Sequence, residues 1–357
     1  MIYFDNAATA IKRKDLLIKI IENKEVFDGN PESVHAKGRE AKKILEDSRR
    51  KIAKSIGADP KRLIFTSGAT ESNNTVIKAF KDGKVITSAI EHDSILNSID
   101  KERTILIDAD KNGLVSLDDI KANIDDSVKL VSIMYVNNET GAIEPIREIG
   151  EYLSDKDIWF HVDAVQAYGH LDIDVEDIKC DSISLSGHKI GGLNGFGALY
   201  LRKDLASFMT GGEQEKDRRA GTSFVAGAYT MAESYDRMVE ERSHIKDLKE
   251  YFLEKLSNTN ITYEINGSLE KSTYHVLNLY FKDYKAEFLL TYLDMNGICS
   301  SAGSACRAGS VLPSHVISNM YDEERAIHSL RFSFGYENTK KEIDKTIKVL
   351  ERLGNER

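Results

Sequence analysis

The sequence predicts an α/β protein, with a mostly parallel sheet packed between helices, followed by a smaller α+β unit. Three observations predict it. Short apolar runs recur between helical stretches over the first two-thirds of the 357 residues, the pattern of strands joined by crossover helices. Small-residue turns and polar residues fall just past the ends of those runs, where such sheets present ligand groups. From about residue 245 the alternation changes to two strand-like runs set among helices.

In order along the chain, residues 36 to 56 carry Ala41, Ile44, Leu45, Ile52, Ala53 and Ile56 at spacings of three, four or seven, an amphipathic helix. Asn30-Pro31-Glu32-Ser33 before it has turn chemistry and a capping serine. Leu63-Ile64-Phe65 reads as a short buried strand running into Thr66-Ser67-Gly68-Ala69-Thr70-Glu71 and then a helix. A strand, a small-residue turn and a helix N-terminus can hold a phosphate, although Thr and Ser are also ordinary caps. Further strands are predicted at Val85 to Thr87, Thr104 to Ile107, Leu130 to Met134, Ile158 to Val162 and Ser182 to Leu185.

The polar residues past those strands each have two readings. Glu91-His92 follows the first, Asn137-Asn138-Glu139 the third, and Asp163 with Gln166 the fourth. His92 can be a capped loop histidine, Asn138 a turn former and Asp163 an N-cap, or all three can face a ligand. Ser184-Leu185-Ser186-Gly187-His188-Lys189 closes the fifth strand, and Gly191, Gly192, Gly195 and Gly197 leave the backbone beyond it bare. Lys189 is therefore either solvated or placed to bond an aldehyde cofactor, which needs an amine pKa lowered by burial or by nearby cations.

After Gly211-Gly212-Glu213 and Gly221-Thr222 comes a long helix with Val225, Ala228, Ala232, Tyr235 and Val239 on one face. Strands at His275 to Phe281 and Leu330 to Phe334, and helices near 285 to 295 and 339 to 353, follow. The stretch from Ser300 to Ser310 is almost wholly Gly, Ala and Ser, so it is expected to be mobile, and it presents one thiol, Cys306.

Composition excludes several classes. With 58 acidic against 49 basic side chains and a net charge of −9, and with no basic stripe, nucleic acid is not the expected partner. No membrane span or secretory lead is visible, so the expected location is cytoplasmic. Three cysteines, Cys180, Cys299 and Cys306, form neither a paired framework nor a metal set. Cys180 and Cys299 lie beside strands and are read as small buried hydrophobes.

Pyridoxal phosphate needs an amine for its aldehyde, an acid opposite its ring nitrogen, a phosphate cradle, a group against its face and a donor to its phenolic oxygen. The sequence offers a candidate for each. It also resembles the NifS/IscS-like cysteine desulfurases of the class V aminotransferase group, fold-type I pyridoxal phosphate enzymes. The matching motifs run from Tyr3-Phe4-Asp5-Asn6-Ala7-Ala8 through Gly29-Asn30-Pro31, Thr66 to Asn74, Glu91-His92 and Val136 to Glu139. They continue through His161 to Gln166, Ser186 to Lys189, Gly221-Thr222, Ser304-Ala305-Cys306, Pro313 to Val316 and Arg331-Phe332-Ser333.

The resemblance implies a seven-stranded-type sheet in a large cofactor domain at 15–244. It also implies a small domain at 245–357 carrying the cysteine loop, and an N-terminal segment, 1–14, associated with that small domain. It implies Lys189 as the cofactor-bonding lysine, Asp163 at the ring nitrogen and His92 on the ring face. Asn138 and Gln166 would address the substrate side and the phenolic oxygen. Ala69, Thr70, Ser186 and His188 would hold the phosphate, with Thr222 from the other subunit of a homodimer, and Arg331 would clamp the substrate carboxylate. Cys306 would take sulfur from L-cysteine, leaving L-alanine, and pass it to an acceptor such as an iron–sulfur scaffold or a tRNA-thiolating enzyme. Gly192-Leu193-Asn194-Gly195, Glu213 and Phe224 depart from the family pattern. A selenocysteine lyase, another class V enzyme or a non-catalytic scaffold are the other readings; Lys189 and Cys306 together have no use in a scaffold.

Overall fold

The computed structural model describes residues 1–303 and 312–355; Cys306 and the 304–311 stretch around it lie outside the described residues. Among the described residues there are twelve strands: β1 (Ile2–Tyr3), β2 (Leu63–Thr66), β3 (Lys84–Ser88), β4 (Thr104–Ile107), β5 (Val128–Met134), β6 (Trp159–Asp163), β7 (Ser182–Ser186), β8 (Gly197–Leu201), β9 (Glu264–Ile265), β10 (Val276–Tyr280), β11 (Ile298–Cys299) and β12 (Ser329–Ser333). Seven of them form one sheet in the order β2-β8-β7-β6-β5-β3-β4. Its β4, β3, β5, β6 and β7 are mutually parallel, and β8 runs antiparallel between β7 and β2. Five parallel strands demand crossovers, which is why the apolar runs alternate with helical stretches in sequence.

Local chemistry places the strands. In β7 the serines alternate with Ile183 and Leu185, all buried, so one face is apolar and the other polar. On the polar face Ser182 Oγ lies 2.8 Å from both Trp159 Nε1 and His161 Nδ1. A buried histidine on β6 thereby finds its partner in a strand that would otherwise look too polar for a core.

The Ala36–Lys54 helix packs along the Val225–Ser257 helix. The latter runs unbroken for 33 residues, so the expected change of unit at 244/245 falls inside it. Its buried face is set by Met231, Met238, Ile245, Leu248, Phe252 and Leu256. Val239, expected on that face, is instead 36% exposed, because the buried stripe drifts around a helix this long.

Beyond it, β12-β10-β9 form a small antiparallel sheet. Phe4, Phe252, Phe332 and Phe334 meet edge to face or tilted at centroid distances of 5.0 to 6.3 Å. Phe4 brings the N-terminal segment into this cluster, and β1 pairs in parallel with β11. The main chain of the segment then joins the small sheet, Ser333 N donating to Phe4 O at 2.8 Å. Cys180 is buried as expected, but Cys299 is only half-buried, on the two-residue edge strand β11. Among the described residues no helix is long and apolar enough to cross a membrane.

Candidate active site

The carboxyl ends of β2, β3, β5, β6 and β7 border a cleft of about 830 Å³, the size of an ordinary small-molecule site. Its wall carries Ala69, Thr70, His92, Asn138, Asp163, Gln166, Ser186, His188, Lys189 and Arg331. Two expected residues are not among them. Thr222 is exposed and lines a small adjoining cavity, which shares Ser67, Gly195 and Phe196 with the cleft. Cys306 is outside the described residues, although Ser300 to Gly303, which lead toward it, line the cleft.

Lys189 follows β7 in a single 3₁₀ turn, Gly187–Lys189. Its Nζ donates to Ala7 O at 2.6 Å and Ala8 O at 2.8 Å, both in the N-terminal segment. Burial, reinforced by the Arg331 charge, lowers its pKa to about 8 against the pull of Asp5 and Asp163. That is the condition for an amine that must act as a nucleophile near neutral pH.

Asp163 ends β6, and its two oxygens do different work. Oδ1 accepts from Val165 N at 3.0 Å in a turn, no helix following where the sequence suggested an N-cap, while Oδ2 accepts from Asn73 Nδ2 at 2.7 Å. Asn73 also donates to Ser94 Oγ at 2.8 Å, and its Oδ1 lies 3.1 Å from His161 Nε2. Ser94 in turn meets His92 Nδ1 at 2.9 Å. His161 is held neutral by burial, its pKa lowered to about 3. One buried network thus orients the acid and the ring beside it. Asn73 and His161 lie within the quoted motifs, but nothing in their spacing marks them as the hub; an amide in mid-helix and a histidine in mid-strand look like surface and core.

At the other end of the cleft the Ala69–Ala79 helix begins at Gly68 with no side-chain cap. Ala69 and Thr70 of its first turn line the cleft, and the end of a helix where N–H groups lack partners attracts an anion. The acidic Glu71 in that first turn is turned away: it accepts from Ser67 N at 2.8 Å and pairs with Arg219, which hold its pKa below the usual range despite burial. Glycine is required at Gly197, where a Cβ would come within 2.8 Å of the Gly68 backbone. His188 stays neutral, burial together with Lys189 and Lys12 lowering its pKa to about 3. Its Nδ1 rests 3.2 Å from Thr9 Oγ1, which accepts from Lys12 Nζ at 3.0 Å.

Arg331, on β12, closes the third side. Its Nη2 bonds Asp5 Oδ1 at 2.7 Å and its Nη1 bonds Asn138 O at 2.8 Å, and the buried Nε has no partner among the described residues. Ser300 Oγ is a second buried polar atom on this wall with no partner among the described residues. The turn that presents Asn138 is made by its neighbour: Asn137 Oδ1 accepts from Glu139 N and Thr140 N, at 2.9 and 3.0 Å. This frees the Asn138 side chain for the cleft. His92 likewise fills its plain role, capping through Nδ1 to Ser94 N at 3.0 Å, and still lines the cleft.

These residues fit pyridoxal phosphate. An uncapped helix N-terminus suits its phosphate, a hydrogen-bonded carboxylate its ring nitrogen, and an amine of depressed pKa its aldehyde.

Residues 2–346 match the class V aminotransferase family. The chain is 43% identical to IscS 1 of Bacillus subtilis (strain 168), over 99% of both chains. It is 38% identical to the cysteine desulfurase IscS of Dictyoglomus turgidum, over 99% of this chain and 94% of that one. The solved structure of a NifS-like protein from Rickettsia africae superposes with a TM-score of 0.89 at 32% identity, covering 99% of each chain. A seven-stranded sheet, a cleft built for pyridoxal phosphate and full-length similarity lead to one assignment: this chain belongs to the class V aminotransferase family, among its IscS/NifS-type cysteine desulfurases.

Proposed function

We propose that the protein converts L-cysteine to L-alanine and carries the sulfur as a persulfide on Cys306 for delivery to an acceptor protein. The observation that carries this reading is the meeting in one cleft of Lys189, Asp163 and an uncapped helix N-terminus, opposite Arg331. When bound, pyridoxal phosphate supplies an aldehyde for an amine and a ring that withdraws electrons from the substrate Cα. Ala69 and Thr70 at the helix N-terminus, with Ser186 and His188, would hold the phosphate end. Asp163, anchored by Asn73 and Val165 N, would keep the ring nitrogen protonated, and His92 would pack against the ring. Gln166 would donate to the phenolic oxygen.

Arg331 receives the substrate carboxylate, with Asn138 beside it. The Lys189 amine takes the Cα proton, and after the sulfur has left one proton is returned at Cβ and one at Cα, the second proton being the one that the Cys306 thiol gave up on becoming a thiolate. The Cys306 thiolate attacks the substrate sulfur as the Cβ–S bond breaks, so cysteine and enzyme thiol become alanine and enzyme persulfide. Two copies of the chain form the working unit, Thr222 of each completing the phosphate site of the other. The acceptor is an iron–sulfur scaffold or a tRNA-thiolating enzyme.

The test is borohydride reduction of the purified holoenzyme followed by peptide mapping, with alanine measured after L-cysteine is added. A phosphopyridoxyl group on Lys189 and alanine matched by one added sulfur on the Cys306 peptide are expected. A label on another lysine, or no alanine, refutes the reading.

A further inference from the structure

Behind Gln166, between the large sheet and the small one, lies a pair of histidines that the reaction does not use. His275, 1% exposed and adjacent to β10, stacks on His170 with ring centroids 3.6 Å apart and planes 8° from parallel. Tyr274 meets both rings edge-on, at 5.7 and 5.8 Å. Its hydroxyl lies 3.2 Å from His170 Nδ1 and donates to His170 O at 3.2 Å. The His275 ring is therefore clamped on its face and edge.

The hydrogen bonds settle which atoms carry protons. Gln166 Nε2 lies 2.9 Å from Ala7 O. A carbonyl oxygen only accepts, so that amide atom is the NH₂ group and Oε1 points the other way. There it meets His275 Nε2 at 3.2 Å. Oε1 also only accepts, so His275 carries its proton on Nε2. Its Nδ1 is then a bare lone pair, and that atom is buried with no partner among the described residues.

We propose that His275 is a positioning residue for Gln166, its Nε2–H holding the amide oxygen so that the amide NH₂ faces the cleft as a permanent donor. The inference rests on the reading of Gln166 as donor to the phenolic oxygen. Without His275 the amide can turn over and present its oxygen, an acceptor, to an anionic oxygen of the cofactor. The charged groups around the pair keep it from titrating. His170, Lys249 on the long helix, Arg331 on β12 and Lys189 all oppose protonation of His275, and burial opposes it most. Arg242 adds to burial at His170, whose pKa falls to about 3. Both rings stay neutral at any working pH, so the donor does not switch.

The test is a pH titration of the visible absorption band of the holoenzyme, in wild type and three variants. His275→Phe keeps a ring in the stack and removes the donor, His275→Gln supplies an N–H again, and Gln166→Leu removes the amide. The band midpoint is expected to rise by about half a unit or more in His275→Phe and Gln166→Leu, as for one lost hydrogen bond to the ionised form. It should return toward wild type in His275→Gln. If Gln166→Leu moves the midpoint and His275→Phe does not, the role of His275 is overturned while that of Gln166 stands. If Gln166→Leu leaves it unchanged, the donor role of Gln166 falls, and this inference with it. Histidine-selective ¹⁵N NMR of wild-type holoenzyme needs no substitution: His275 protonated on Nε2 alone from pH 6 to 9 supports the inference. An Nδ1-protonated or charged ring overturns it.

Discussion

Lys189 can be titrated without its cofactor, and its environment predicts the result. An ordinary lysine amine, of pKa near 10.4, is neutral at pH 7 in roughly 0.04% of molecules. With its pKa lowered to about 8, the neutral fraction at pH 7 is about a tenth, a gain of roughly 250-fold in reactive amine. The first cause is burial, and the second is Arg331. Arg331→Met removes that second cation and also frees Asp5 from its ion pair, and both changes favour protonated Lys189. The assay is trace acetylation of cofactor-stripped protein with isotopic acetic anhydride at pH 6 to 11, followed by mass spectrometry of the Lys189 peptide. Wild type is expected to show a midpoint near 8, and Arg331→Met a higher one. A wild-type midpoint at or above 10 refutes the claim that burial sets this amine. An unmoved midpoint in the variant refutes the part assigned to Arg331.

Four other outcomes are expected. Asp163→Asn retains some cofactor but loses most alanine formation, since an amide cannot stabilise a protonated ring nitrogen; near-normal turnover contradicts this. Cys306→Ala loses alanine and persulfide formation from L-cysteine while keeping substantial activity on L-selenocysteine, whose C–Se bond is weaker. Equal rates on L-cysteine in variant and wild type would falsify Cys306 as sulfur carrier. Co-expressed Lys189→Ala and Thr222→Ala chains give more activity than either parent, because one site of the mixed dimer carries neither defect; a fully active monomer in sedimentation rules this out. Glu144 is buried, and its pKa is raised by desolvation to about 8. Its contribution to stability is present below about pH 4.5 and is lost as pH rises toward 8, by at most about 4 kcal/mol. Glu144→Gln should therefore gain on wild type in urea unfolding between pH 5 and pH 8, and a pH-independent difference refutes the assignment.

Legibility differed along the chain for physical reasons. His92, Asp163 and Lys189 could be placed from sequence because parallel strands deliver their ligand groups at one edge, each a few residues past an apolar run. Asn73 could not, since its meaning comes from Asp163, His161 and Ser94, which no local period connects. Asp5 and Arg331 are 326 positions apart, and nothing in either motif announces the ion pair that ties them. The antiparallel course of β8 was likewise hidden, because the glycine run before it is equally consistent with a loop. Val239 shows the converse: periodicity gives a stripe, but over 33 residues the neighbours decide where the stripe leaves the core. His275 and His170 look like isolated residues until the fold stacks them.

The N-terminal segment has a consequence in time. Asp5, Ala7 and Ala8 leave the ribosome among the first residues, yet Arg331 and Ser333, to which the segment is tied, are among the last. At about 5–20 residues per second of synthesis, the segment waits some tens of seconds for its partners while the seven-stranded sheet can already form. Cofactor capture should therefore be a late event, and a chain truncated before β12 should fold its large sheet yet remain colourless. Colour in a growing or refolding chain then reports closure of its two ends.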